Sequence, residues 1–222
     1  MRRSRAVALS LALFAVAGAA PLYAAGTPKI ETPPPEAPTP EQLAAEHYNT
    51  GVAQRDEAWR LERKLAAAEP AQREKLGTKI RRAYEQAVKS FTRAVESDPG
   101  MHEAWAGLGY ALRRTGDPEA GLEAYGRALE IAPDYGPALE YLGEAYLELD
   151  RLADARGTYE RLEGADATLA RELLSAMHSW VAARRSDPGE VKVGELDAFE
   201  RWVSERLAGE PVESSLRKPR SW

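Results

Sequence analysis

An all-α fold, a row of antiparallel helical hairpins stacked side by side, is what this sequence predicts, and three observations predict it. First, the chain matches itself when shifted by 34 residues: Ala104 meets Ala138, Leu108 meets Leu142, Gly109 meets Gly143, Ala111 meets Ala145, and Tyr125 meets Tyr159. Shifted the other way, Ala87 meets Gly121, Phe91 meets Tyr125, Ala94 meets Ala128, Val95 meets Leu129 and Pro99 meets Pro133. A fixed period of this length marks stacked supersecondary units. Second, helix stop and start signals separate the halves of each copy. In "TGDP" (115–118) the Gly ends one helix and the Pro suits the first turn of the next, and Pro133 and Pro137 bracket the following junction. Third, small residues (Gly109, Gly121, Ala128) recur among bulky ones (Trp105, Leu108, Tyr125, Leu129). Small residues belong where paired helices approach closely, because a large side chain there overpacks the contact. A helical Gly costs about 1 kcal/mol relative to Ala, which close packing offsets.

The elements follow in chain order. Residues 1–24 read as a secretory signal peptide: Arg2, Arg3 and Arg5, an apolar run over 6–20, then small residues with a cleavage site between Ala24 and Ala25. The alternative is an uncleaved membrane anchor, but the run has 15 residues and a span needs about 20. Cleavage leaves no membrane span and takes the net charge from −5 to about −8. The chain has no cysteine, which excludes disulfides, thiolate zinc sites, cysteine nucleophiles and a lipoprotein anchor. An acidic balance argues against nucleic acid as a partner. The expected location is a bacterial periplasm or the cell exterior. Residues 25–40 include "TPKIETPPPEAPTP", with six prolines, and read as an extended linker. A Pro-rich recognition ligand is the alternative.

The repeats occupy 41–165, divided as 41–100, 101–135 and 136–165. The second copy carries Trp105, Leu108-Gly109, Leu112, Gly121, Tyr125, Ala128 and Pro133; the third carries Leu139, Leu142-Gly143, Tyr146, Ala155, Tyr159 and Leu162. This pattern resembles the tetratricopeptide repeat family over roughly 42–165. The third copy departs from it, lacking the closing Pro and placing Leu162 where a small residue is usual. The resemblance implies a right-handed superhelix of helix–turn–helix units. The packing residues it implies are Gly51, Ala87, Phe91, Ala94, Pro99, Trp105, Leu108, Gly109, Gly121, Tyr125, Ala128, Pro133, Leu142, Gly143, Tyr146, Ala155 and Tyr159.

The first copy is enlarged. Gly109 and Gly121 are 12 apart, whereas Gly51 and Ala87 are 36 apart, an excess of 24 centred on residue 69 beside Pro70. About 12 residues added to each helix would project the hairpin roughly 18 Å beyond its neighbours. Trp59, Leu65, Leu76, Ile80 and Ala83 suit a narrow seam between charged arms. Two readings stand here: a solvated extension, or a docking arm. Beyond residue 165, two amphipathic helices (Leu169, Leu173, Met177 and Trp180, then Leu196, Phe199, Val203 and Leu207) fit a cap over 166–208, because a repeat array must cover its last apolar face. Residues 209–222 read as a flexible tail.

No catalytic, cofactor or metal constellation stands out. His47, His102 and His178 are far apart, "HEAWA" lacks the second His of a zinc-protease motif, and no nucleophile elbow or phosphate loop occurs. The expectation is a non-enzyme that needs no cofactor and no metal. The resemblance implies that the first helices line a groove for a peptide or protein. Its candidates are Tyr48, Val52 and Arg55; Ala106, Tyr110, Arg113 and Arg114; then Glu140, Glu144, Leu147 and Glu148. Each tyrosine serves either the groove or the core. The basic set with which one branch of the family clamps C-terminal carboxylates is absent, because the third copy is acidic. The expected function is an exported scaffold for protein–protein contact. The alternatives are a structural subunit of an envelope assembly, such as secretion or pilus machinery, and a non-catalytic accessory of an envelope enzyme.

Overall fold

The structure is a computed structural model that describes residues 37–209, apart from 188 and 190. The expected signal peptide with its cleavage site between Ala24 and Ala25, most of the expected Pro-rich linker and the expected tail beyond residue 209 lie outside the described residues. Those described form eight α-helices and no strand: α1 (Pro40–Ala66), α2 (Pro70–Ser97), α3 (His102–Arg114), α4 (Pro118–Ile131), α5 (Gly136–Glu148), α6 (Leu152–Ala165), α7 (Ala167–Ser186) and α8 (Val193–Gly209).

Local chemistry sets the ends of these helices. Thr39 caps α1 in a reciprocal box with Gln42, and Pro40 occupies the first turn, where its missing N–H costs nothing. Pro70 and Pro118 open α2 and α4 in the same way. Asp117 accepts from the Ala120 N–H, and Asp166 from those of Thr168 and Leu169. The α3–α4 turn uses Gly116 at φ 94°. One period later the α5–α6 turn uses Asp150 at φ 55°, a left-handed position that Asp tolerates better than most side chains. Asp150 also receives an ion pair from Arg184 of α7 at 2.7 Å.

The first hairpin turns at residues 67–69, just before Pro70. The added length is not shared equally. From Gly51, α1 runs 15 residues to its end, whereas α3 runs five from Gly109. α2 begins 17 residues before Ala87, whereas α4 begins three before Gly121. About ten residues are therefore added to α1 and about 14 to α2, rather than 12 to each, and the extension is about 15–21 Å. Proline explains the offset, because it fits only the first turn of α2 and so pins the turn ahead of residue 70. Trp59, Leu65, Leu76, Ile80 and Ala83 all join the seam, around Ala58, Leu61 and Tyr84.

Within the second hairpin the backbones meet. A Cβ on Gly109 would lie 2.6 Å from the Tyr125 ring and 3.0 Å from the Gly121 carbonyl, and one on Gly121 would lie 3.0 Å from the Gly109 carbonyl. Gly51 meets the Phe91 ring in the same manner. Between copies, Gly107 faces Phe91, and Gly143 faces Leu173 of α7. Ala87, Ala94, Leu108, Ala128, Ala155, Phe91, Tyr125 and Tyr159 are buried, and Trp105, Leu142 and Tyr146 are partly so. Pro99 and Pro133 stay exposed. Their carbonyls accept from Trp105 Nε1 (2.9 Å) and from Arg161.

α7 packs on both α5 and α6, as α5 packs on α3 and α4, and α8 packs on α7. The two last helices thus extend the stack by one more hairpin. Leu169, Leu173, Met177, Trp180, Leu196, Phe199, Val203 and Leu207 join a single core with Leu139, Leu147, Tyr159 and Leu162. Trp202 stands edge-on to Tyr159 at 5.3 Å, and Arg206 lies over both rings.

Candidate functional site

The first helices of successive hairpins, α1, α3 and α5, lie side by side. Their facing side chains form a buried polar network. Arg113 of α3 reaches α5, with Nη2 donating to Glu144 at 2.6 Å and Nη1 to Glu148 at 2.5 Å. Arg114 reaches the other way and pairs with Glu62 of α1. Glu62 also accepts from the Tyr84 hydroxyl at 2.9 Å. Trp59 Nε1 donates to the Tyr110 hydroxyl at 2.6 Å, and the two rings meet edge-on. Tyr110 also packs against Tyr84 and Tyr141.

Charge in this setting is held by geometry. Burial works to lower the pKa of Arg113, yet Tyr125, Glu144, Glu148 and Tyr110 together outweigh it and the net shift is upward. Arg114 behaves alike, with burial opposed by Tyr110, Glu62 and Tyr84. Burial pushes the phenols of Tyr84 and Tyr125 up, so both stay protonated.

The network places most of the groove candidates. Ala106, Tyr110, Arg113, Glu140, Glu144 and Leu147 are buried, and Arg114 is nearly so. The run from basic α3 to acidic α5 is a complementarity between neighbouring helices that neutralises itself. Tyr48, Val52 and Arg55 occupy a different patch. They are half-buried at the open end of α1, where Arg55 lies 4.3 Å over the Trp59 ring and Tyr48 packs on Phe91. Tyr48, Arg55, Glu103 and Tyr135 sense one another electrostatically, and burial raises both phenol pKa values. His102 meets Tyr135 edge-on at 4.6 Å.

Sequence reasoning did not single out Glu62, Tyr84 or Tyr141. Glu62 lies in the enlarged part of α1, where the 34-residue register has no counterpart to flag it. Among the described residues, no group of three or more His, Asp or Glu is placed to hold a metal ion, and no helix is long and apolar enough to cross a membrane.

Paired helices repeating at 34 residues around small-residue contacts define a helical repeat protein. Two family models, both described as tetratricopeptide repeat, match residues 81–136 and 112–177. The second extends into α7, in keeping with the extra hairpin. Together the two matches place tetratricopeptide repeats over residues 81–177 of this chain, a kind of repeat that serves as a scaffold for protein–protein contact. A comparison with curated proteins finds no match. Among solved structures, this chain is similar to MamA (19% identity, 67% of this chain and 85% of that one, TM-score 0.41). It is also similar to the first tetratricopeptide domain of Spaghetti (RPAP3) bound to the HSP90 peptide SRMEEVD (16% identity, 72% and 95%, TM-score 0.40). The same domain of human RPAP3, solved by NMR, is 16% identical over 72% and 93% of the two chains, with a TM-score of 0.39.

Proposed function

We propose that this protein is a non-catalytic scaffold, exported across a bacterial membrane, that holds a partner protein against the patch formed by Tyr48, Val52, Arg55, Glu103 and Tyr135. One observation carries the reading. The inward charges Arg113, Arg114, Glu62 and Glu144 are enclosed and paired with one another through Arg113–Glu144 and Arg114–Glu62, whereas Tyr48, Val52, Arg55, Glu103 and Tyr135 are only half-buried, so this patch is within reach of a partner. Tyrosine and arginine are the side chains that dominate binding energy at protein interfaces. The Arg-rich start and short apolar run of the leader support export.

The test is affinity capture from envelope extracts with residues 25–222. A Tyr48→Ala/Arg55→Ala variant is expected to lose a partner that the unmodified protein retains. A second variant removes residues 65–76 and joins the helices by a short turn, keeping Glu62 and Tyr84 so that Arg114 stays paired. Loss only with this second variant moves the site to the hairpin, and capture of nothing by any form overturns the scaffold reading. Fractionation with N-terminal sequencing checks export: a start at Ala25 is expected, and an intact Met1 in the cytoplasm refutes it.

A further inference from the structure

The outer face of α2 carries a stripe that neither the core nor the inner network uses. Lys75, Lys79, Arg82, Lys89 and Arg93 are all exposed, and none forms an ion pair with another described residue. At 100° per residue they lie within about 40° of one line, with Gln86 on the same line. The line runs opposite the buried face of Tyr84, Ala87, Phe91 and Ala94. At 1.5 Å per residue it spans about 27 Å. This is a straight cationic ridge in a chain whose net charge is −5.

Its surroundings restrict what fits. Glu74, Glu85 and Glu96 lie together along one flank of the stripe, about 60–100° round the helix. One hairpin on, the outward face of α4 is acidic, with Glu119, Glu123 and Glu130 exposed. Only Glu130 has a local cation, Arg127 at 2.8 Å. A long polyanion or a flat anionic membrane covering this side meets the α4 carboxylates as well. A segment confined to α2 does not. The ridge has no exposed large apolar residue, so hydrophobic insertion has nothing to work with. From this we infer that the α2 ridge docks an acidic helical segment of a partner protein. The segment's carboxylates recur at helical spacing along one face, and a basic edge lies against Glu74, Glu85 and Glu96. This surface is on the opposite side of the hairpin from the Tyr48–Tyr135 patch, so the inference stands or falls separately from that site.

The experiment is fluorescence anisotropy with the full mature chain and a labelled Ala-rich peptide of about 21 residues. The peptide carries five Glu at the spacing of the five cations. The controls are a peptide with the same Glu distributed around the helix, a short DNA duplex, and vesicles of phosphatidylglycerol. In one variant the five ridge cations are changed to Gln. In another, Arg63, Lys64, Arg81, Lys192 and Arg201 are changed to Gln, which matches the charge change elsewhere on the surface. Circular dichroism verifies that both retain their helices. The expected result is saturable, salt-sensitive binding of the spaced peptide, weakened about tenfold or more by the ridge variant and less than about twofold by the matched one. Equal loss in both variants, or equal binding of the two peptides, overturns the proposal. So does ridge-dependent binding of DNA or vesicles without binding of the peptide.

Discussion

A methyl group on Gly109 would sit 2.6 Å from the Tyr125 ring and 3.0 Å from the Gly121 carbonyl. The ring belongs to a fully buried side chain and the carbonyl to a helix, so neither yields cheaply. Gly109→Ala and Gly121→Ala should each cost about 1–3 kcal/mol. Gly126, in the same helix as Gly121, has nothing within 4 Å of its would-be Cβ, and Gly126→Ala should gain about 0.5–1 kcal/mol from helix propensity alone. Denaturant titration of the three variants reads this contrast. If all three shift the midpoint the same way, the close approach is not what selects glycine. The buried role of Gly109 and Gly121 was legible from their spacing and bulky neighbours. Gly143 was assigned by the same register, but its nearest side chain is Leu173 of α7. A period aligns equivalent backbone positions; it does not say which neighbour's side chain fills the space there.

Between helices, Arg113 is the most enclosed of the paired arginines. Its side chain is 2% exposed and that of Glu144 is 5% exposed. Removing one member of a buried pair strands the other charge, so Arg113→Met should destabilise by about 3–5 kcal/mol. Adding Glu144→Leu to that variant should recover part of the loss, because replacing a whole buried pair by apolar side chains of similar volume is often near neutral. Thermal melts of the two variants measure the difference. Equal melting temperatures would mean that the pair does not link α3 to α5. Opposite charges on successive first helices were visible in the sequence, yet they read as a gradient along a groove. Whether they face solvent or each other depends on helix spacing and rotation, which no linear pattern encodes.

At the scale of the whole array, the two last helices close the stack. Leu173 is fully buried and lies against Gly143, and α7 touches both helices of the preceding hairpin. In such arrays stability is nearly a sum of unit and nearest-neighbour terms. Leu173→Ala should therefore lower unfolding free energy by about 2–5 kcal/mol, in one shifted transition rather than an early separate one. Hydrogen exchange checks this: protection lost in α7 and α8 alone would show that they are docked on the repeats without being coupled to them.

Periodicity and punctuation were enough to read the helical hairpins, the enlarged first unit and the two closing helices from the amino acids alone. Each rests on local rules, namely where proline and glycine fit and which positions repeat at helical spacing. The enlistment of Glu62 and Tyr84 and the pairing of Arg113 and Arg114 in opposite directions depended on the folded arrangement. They are contacts between residues 22 to 52 positions apart, set by how the helices rotate and settle against one another.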